Sequence, residues 1–151
     1  MSIKSQLSSD LTHAMREKDK KKLNALRFIS AAIKQVEVDE RIDVDDLRAI
    51  AIFDKLVKQR QESIYQFKAA GRNDLVEQEE YELGLIRHYL PEPLTQDEII
   101  VMINAALKTT QAKHISDMSR VMTVLKPQMQ GRVDMSQVSL IIKERLNSIN
   151  N

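Results

Sequence analysis

Few residues of this chain stand at spacings that could support catalysis or metal binding. Asp10 and His13 are three positions apart, so on a helix they would share a face and could supply two ligands to a metal ion. Two ligands do not make a site, and we prefer a solvated surface pair. The other histidines, His88 and His114, are distant in sequence, and no glycine-rich phosphate loop, H-E-x-x-H or G-x-S-x-G motif is present. We therefore expect no catalytic residue, no metal and no cofactor.

Two charged residues fall within apolar helix faces. At about 100° per residue, Arg60 lies in the middle of the apolar face of the third predicted helix, and Glu79 lies on that of the fourth. If these helices pack antiparallel around Gly71, the two side chains come level to within about one helical turn. We prefer a structural ion pair, because an unpaired buried charge would cost several kcal/mol and no nucleophile is near. A pair of catalytic groups in a cleft is the alternative.

Basic clusters could bind phosphate, because neutralising a polyanion releases its counterions. The segment REKDKKK, residues 16–22, carries five cations, but the interleaved Glu17 and Asp19 favour a solvated turn. Lys55 and Lys58 place positive charge on the outer face of the third predicted helix. We treat these two lysines as candidate contacts for nucleic acid.

The segment LKPQMQGRVD, residues 125–134, has no acid before its last position. We expect an exposed loop in which Lys126, Gly131 and Arg132 contact phosphate and sugar through cations and flexible backbone. An ordinary loop between helices has the same composition. Composition alone leaves both interpretations open.

Composition limits the class of protein. The 151 residues include no cysteine, which excludes disulfides, cysteine nucleophiles and thiolate metal sites and fits a reducing, cytoplasmic location. No apolar stretch approaches the roughly 20 residues of a membrane span, so we expect no membrane association. With only 3 Gly, 3 Pro and 4% aromatic residues, strand and turn signals are scarce. The chain is therefore predicted to be all-α.

Net charge does not identify a partner. The formal charge is +1, far from that of a strongly basic nucleic-acid-binding chain. Residues 1–94 hold 16 Lys and Arg against 17 Asp and Glu, and residues 95–151 hold 7 against 5. An asymmetry of this size is too small to decide what the protein binds.

Apolar residues recur at helical spacing along the chain and predict seven helices. The first fades near Asp19, the second spans residues 20–36, and the fourth ends by Leu90. Capping signals predict the other starts. These are Asp43 for the third helix, Asn73 or Asp74 for the fourth, Thr95 with Glu98 as a capping box for the fifth, Ser116 for the sixth and Asp134 for the seventh.

The predicted architecture has two helical parts. Residues 1–90 form an N-terminal domain of about four helices that includes a long helical hairpin, and residues 95–151 form a three-helix bundle. Between them lies HYLPEPLTQDEI, whose prolines at 91 and 93 push the preceding residues out of helical geometry. We interpret residues 91–94 as a proline joint that sets the angle between the parts, in preference to a functional site.

Four motifs occur in the order and spacing of a known family. They are K-Q-R-x-E-S from Lys58, A-G-R-x-D-L from Ala70, Y-L-P from Tyr89 and G-R-x-D from Gly131. With them, nearly the whole chain resembles the YqeY family. Family members often have glycine where this chain has Ser119 and Met135, which weakens any expectation of close backbone approach to a partner there.

The resemblance implies a fold similar to the C-terminal tail of the B subunit of the tRNA-dependent amidotransferase. That tail helps to hold tRNA, while the amide and phosphorylation chemistry lies elsewhere in the enzyme. The resemblance therefore implies a tRNA-associated binding module that recognises shape and phosphate. A protein-interaction adaptor for a synthetase or amidotransferase is the alternative. The label of carbon-nitrogen ligase with glutamine as amido donor reaches free-standing members only by association.

Overall fold

Helices account for nearly all of the chain. The computed structural model describes residues 1–149, which contain seven α-helices, one short 3-10 turn at Ile115–Asp117 and no β-strand. This confirms the all-α prediction. Asn150 and Asn151, the end of the predicted 95–151 domain, lie outside the described residues. The helices are α1 Ile3–Arg16, α2 Lys20–Glu40, α3 Asp46–Ala69, α4 Asn73–His88, α5 Gln96–Thr110, α6 Met118–Met129 and α7 Met135–Ile149.

The chain divides into two compact units, Met1–Leu90 and a second that starts at Pro91. Each unit has its own apolar core. In the part of the chain that the structure describes, no helix is both long enough and apolar enough to span a bilayer.

The N-terminal unit consists of α1 to α4, with α3 and α4 paired as a hairpin. Gly71 follows the end of α3 with φ of 69°, a left-handed conformation that glycine adopts at little cost and that lets the chain reverse. Tyr89, just after α4, packs its ring 5.9 Å from that of Phe53 and donates its hydroxyl to the Asp10 carboxylate on α1. Burial and the Asp10 carboxylate raise the pKa of the Tyr89 phenol, so it remains a hydrogen-bond donor.

The start of α3 differs from the prediction. Asp45, not Asp43, caps the helix by accepting from the Arg48 amide. The Asp43 carboxylate instead lies 2.6 Å from Lys4 Nζ, and Val44, between the two aspartates, is buried. Burying Val44 in extended chain delays the helix by two residues.

The second helix, predicted over residues 20–36, is longer in the structure, where α2 continues to Glu40. Glu37 in this last turn accepts from Lys4 Nζ at 2.7 Å and from the Val44 amide at 3.0 Å. Arg41 then ends the helix in the left-handed conformation, with φ of 53°. These tertiary hydrogen bonds extend a helix that local sequence predicted to end earlier.

The second unit contains α5, α6 and α7. Their shared core is formed by fully buried Ile103, Val121, Met129, Ile142 and Leu146. The Thr95 hydroxyl accepts from the Glu98 amide, and the Glu98 carboxylate accepts from the Thr95 amide. This confirms the predicted capping box.

The predicted loop at residues 125–134 is wrong over its first half. Residues 125–129 complete α6, with Pro127 inside the helix. A proline there removes one backbone hydrogen bond, but the helix continues because Leu125 and Met129 on either side are 1% and 0% exposed. Burial of these two side chains outweighs the local preference, and the turn is confined to residues 130–134.

The predicted Ser116 does not cap α6, because it lies inside the 3-10 turn, and Asp117, the residue before α6, makes no capping hydrogen bond to that helix. The Asp117 carboxylate accepts from the backbone amides of Lys113 at 2.9 Å and His114 at 3.1 Å, and Arg120 Nη2 lies 2.8 Å from it. These donors hold the pKa of Asp117 well below its usual range. Asp117 therefore organises the chain between α5 and α6.

We expect Asp117→Asn to destabilise the C-terminal unit in a pH-dependent way. Because the folded state depresses the pKa of Asp117, its stabilisation is present above about pH 4, the unfolded value, and is lost as the pH falls. The urea midpoints of wild type and variant should differ at pH 7 and converge towards pH 2. A difference that stays constant on acidification would contradict this role.

Candidate functional site

The three candidate residues near the end of α6 have different environments. Lys126 is exposed in the last turn of α6 and has no ion-pair partner among residues 1–149. Gly131 adopts φ of 79° in the following turn. Arg132 Nε donates to the Glu92 carbonyl at 2.9 Å, and the Arg132 carbonyl accepts from the Leu94 amide at 2.9 Å. Gly131 and Arg132 therefore shape the turn, and Lys126 alone presents a freely exposed charge.

Carboxylates surround this turn. Glu98 lies in the first turn of α5, where the Thr95 backbone and hydroxyl lower its pKa, with a smaller contribution from the Arg132 charge. Asp134 accepts from the Ser136 amide at the start of α7. Because the Leu94–Arg132 hydrogen bond joins the start of α5 to the end of α6, these acids lie at the same end of the unit as Lys126. A polyanion would meet mixed charge here.

Positive charge gathers at the opposite end of the three-helix unit. Short connections make the helices antiparallel, so the end of α5, the start of α6 and the last part of α7 lie together, and the 3-10 turn contacts α7. We define the basic end as four exposed cations on these segments, Lys108, Lys113, Arg120 and Lys143. The acids nearby are Asp117, which binds two backbone amides and Arg120, and Glu144. The group is not apparent in the sequence, because its members are spread over 36 positions.

Lys55 and Lys58 are both exposed on α3, in the N-terminal unit. Lys58 Nζ lies 3.9 Å from the Asp54 carboxylate on the same helix. Further along α3, Lys68 lies 3.9 Å from Glu80 of α4. Acids accompany the cations of α3, which makes this face a weaker candidate for phosphate than the basic end.

Arg60 of α3 contacts Glu79 and Glu82 of α4 and Phe28 of α2. We call these four side chains the clamp. Arg60 Nη1 is 3.0 Å from Glu79 and its Nη2 is 3.2 Å from Glu82. The guanidinium carbon lies 4.5 Å from the centre of the Phe28 ring on α2, a cation–π geometry. Arg60 is 16% exposed, and its buried Nε has no hydrogen-bond partner among residues 1–149. The structure thus brings the predicted Arg60 and Glu79 together and adds Glu82 and Phe28.

The clamp has the chemistry of a structural contact. One guanidinium binds both carboxylates, and among residues 1–149 neither carboxylate has a hydrogen bond or ion pair with a histidine or a hydroxyl group. Glu82 was detectable from sequence, because it follows Glu79 by three residues and so shares its helix face. Phe28 was not, because its neighbours one turn away on α2 are Asn24, Ala25, Ala31 and Ala32, which give no sign of a contact with a charged residue of another helix. No group of three or more His, Asp or Glu side chains in the described part of the chain could hold a metal ion.

Comparison with known proteins identifies relatives over most of the chain. The family described as Yqey-like protein matches residues 4–146. The protein named Altered inheritance of mitochondria protein 41, mitochondrial, from Pyrenophora tritici-repentis is 34% identical over 146 residues, which cover 91% of this chain and 77% of that protein. The protein of the same name from Eremothecium gossypii is 37% identical over 111 residues, covering 72% of this chain and 61% of that protein.

The Saccharomyces cerevisiae protein of that name is 34% identical over 109 residues, covering 68% of this chain and 59% of that protein. The chain thus spans between about three fifths and three quarters of these relatives. The word mitochondrial in their names describes those proteins, and the cytoplasmic location of this chain stays a prediction. Since the family match covers nearly all residues and the relatives exceed 30% identity, the chain belongs to the YqeY family.

Proposed function

We propose that the chain is a tRNA-associated helical binding module that recognises the shape and phosphates of RNA rather than its base sequence. Membership of the YqeY family supports this through the family's resemblance to the tRNA-holding tail of the amidotransferase B subunit. Side chains cannot read the deep major groove of duplex RNA, so such a module would contact phosphates and 2′-hydroxyls. Exposed cations without nearby free carboxylates are the groups that it needs.

The basic end of the C-terminal unit carries this proposal. Four of the five acids in residues 95–149 lie at helix starts, where they are favoured by the helix dipole and bind backbone amides, as Glu98, Asp117 and Asp134 do. Lys108, Lys113 and Lys143 have no ion-pair partner among the described residues and remain open to phosphate. Lys126, at the other end, adds a single cation.

Charge reversal at the basic end tests the proposal. We expect Lys113→Glu with Lys143→Glu to weaken binding of unfractionated tRNA by at least about tenfold in a filter-binding assay at 0.1 M salt, and to flatten the salt dependence. Lys126→Glu should have a smaller effect. Lys68→Glu with Arg87→Glu, which reverses two exposed cations of the N-terminal unit, is the matched control and should change binding little. The proposal is refuted if the wild-type protein retains no more tRNA on the filter than it does in the presence of excess heparin.

A protein-interaction adaptor is the second candidate, and one groove favours it. Between α2 and α4 the half-exposed ring of Phe28 and the ring of Tyr81 line a surface whose rim includes Asp74 and Glu77. Lys21 lies 4.2 Å from the centre of the Tyr81 ring and Arg60 lies over that of Phe28, so the carboxylates and the exposed ring edge of Phe28 are what a basic, partly apolar segment of a partner such as a synthetase or amidotransferase would contact. Co-purification of a partner that survives RNase and is lost in Phe28→Ala would favour the adaptor over the RNA-binding module.

A further inference from the structure

Charge in the N-terminal unit is divided between its first two helices and the rest. Residues 1–36 hold eight Lys and Arg against three Asp and Glu, whereas residues 37–90 hold eight against thirteen. The first segment comprises α1 and most of α2, and the second contains α3 and α4. The near-zero charge of the unit therefore conceals a basic first segment, residues 1–36, which ends where Glu37, Asp39 and Glu40 make the last turn of α2 acidic.

Within that pair, one stripe of α2 is uniformly basic or neutral. Lys20, Arg27 and Lys34 are spaced by seven residues, which returns to nearly the same helix face and sets them on a line about 21 Å long. Asn24 and Ala31 fill the positions between them. We call these five residues the α2 stripe. All five are exposed, and none of the three cations has an ion-pair partner among residues 1–149.

The surroundings of the α2 stripe are favourable to an anion on one side only. Towards α1, the groove beside Lys34 is lined by Ser8 and Ser30, and its acid, Glu37, is paired with Lys4 at 2.7 Å. The acid of α1, Asp10, binds the Tyr89 hydroxyl, and Asp19, next to Lys20, caps α2 by accepting from the Lys22 amide. Towards α4, the acids Asp74, Glu77 and Glu82 line the neighbouring groove. A polyanion is therefore directed over the α1 side of α2.

The geometry favours a nucleic-acid backbone over a membrane surface. A helix that lies in a bilayer interface buries a broad apolar face in lipid. The apolar face of α2 is already buried in the protein core, with Leu26, Ile29 and Ile33 at most 3% exposed. What remains outside is a row of cations with small and amide side chains between them, which matches repeated phosphates.

We propose that the α2 stripe binds the phosphate backbone of RNA, as a contact surface in addition to the basic end. The identification of the polyanion as RNA rests on the function proposed above. The location rests on the exposed Lys20, Arg27 and Lys34 and on the charge division between residues 1–36 and 37–90.

The test is fluorescence anisotropy with labelled unfractionated tRNA over a range of salt concentrations. The stripe variant Lys20→Gln, Arg27→Gln, Lys34→Gln removes three cations while keeping good helix formers. If each cation contacts one phosphate, the slope of log K against log salt falls by about 2 to 3 and affinity at 0.1 M salt falls at least about tenfold. The matched control, Lys68→Gln, Arg72→Gln, Arg87→Gln, removes the same net charge from exposed positions of residues 37–90 and should change the slope by less than about 1.

Each other outcome has a separate meaning. If wild type binds tRNA and the stripe variant and the control variant weaken it equally, the α2 stripe is overturned while the proposed function stands. If wild type fails to bind tRNA, both are overturned. If the wild-type protein instead binds phosphatidylserine vesicles and the stripe variant does not, the stripe binds a membrane surface and the RNA assignment is wrong. Far-ultraviolet circular dichroism of each variant should match wild type, since all substituted positions are exposed.

Discussion

Replacing Arg60 by methionine is expected to lower the free energy of unfolding of the N-terminal unit by about 3 kcal/mol. Methionine keeps much of the apolar stem but removes the guanidinium that both Glu79 and Glu82 contact. The two carboxylates are 15% and 18% exposed and would then face each other without a cation. Urea unfolding followed by circular dichroism measures the loss.

The reverse experiment separates a structural clamp from a catalytic pair. Arg60→Met combined with Glu79→Leu and Glu82→Leu should recover most of the lost stability, because apolar side chains of similar size can replace a buried ion pair. Arg72→Met, which breaks an exposed pair with Asp74, is the control and should cost less than about 1 kcal/mol. If the triple variant is less stable than Arg60→Met, the clamp is not maintained for stability and a functional role becomes the better explanation.

Phe53→Ala should destabilise the same unit by about 4 kcal/mol. Phe53 is 0% exposed in the core, and its ring supports Tyr89, whose hydroxyl reaches Asp10 on α1. The substitution removes a large buried side chain and also loosens the contact between the end of α4 and α1. The free energy of unfolding from urea titration is again the measurement.

A second aromatic residue of α3 provides the control for Phe53. Tyr65 lies on the same helix and is 77% exposed, so Tyr65→Ala should change stability by no more than about 0.5 kcal/mol. Tyr89→Phe keeps the ring and removes only the hydroxyl, and should cost clearly less than Phe53→Ala. Equal losses from Phe53→Ala and Tyr65→Ala would show that the core does not depend on Phe53.

Sequence reasoning succeeded where the signal is local and periodic. Apolar spacing predicted an all-α chain, and the Thr95–Glu98 box formed as expected because both partners lie within one helical turn. The helix projection placed Arg60 and Glu79 on apolar faces, and the structure has them 3.0 Å apart. Each of these inferences needed only the helix repeat.

Sequence-based expectations were wrong where contacts between residues distant in sequence determine the local structure. Pro127 predicted a loop, but burial of Leu125 and Met129 keeps α6 intact. Asp43 looked like a cap, but Lys4, 39 positions away, binds it. The basic end and the α2 stripe were both missed, the first because its residues are dispersed in sequence and the second because averaging over residues 1–94 cancelled opposite charges.

The charge division within the N-terminal unit also has a kinetic meaning. Residues 1–36 carry a net charge of +5 and residues 37–90 one of −5, so the unit has an electric dipole although its net charge is near zero, and a dipole experiences a torque in the field of a distant polyanion. The unit would therefore turn its α1–α2 side forward before contact, which raises the association rate more than the lifetime of the complex. If the α2 stripe binds RNA as proposed, the separation of charge between residues 1–36 and 37–90 would set the direction of approach as well as the place of binding.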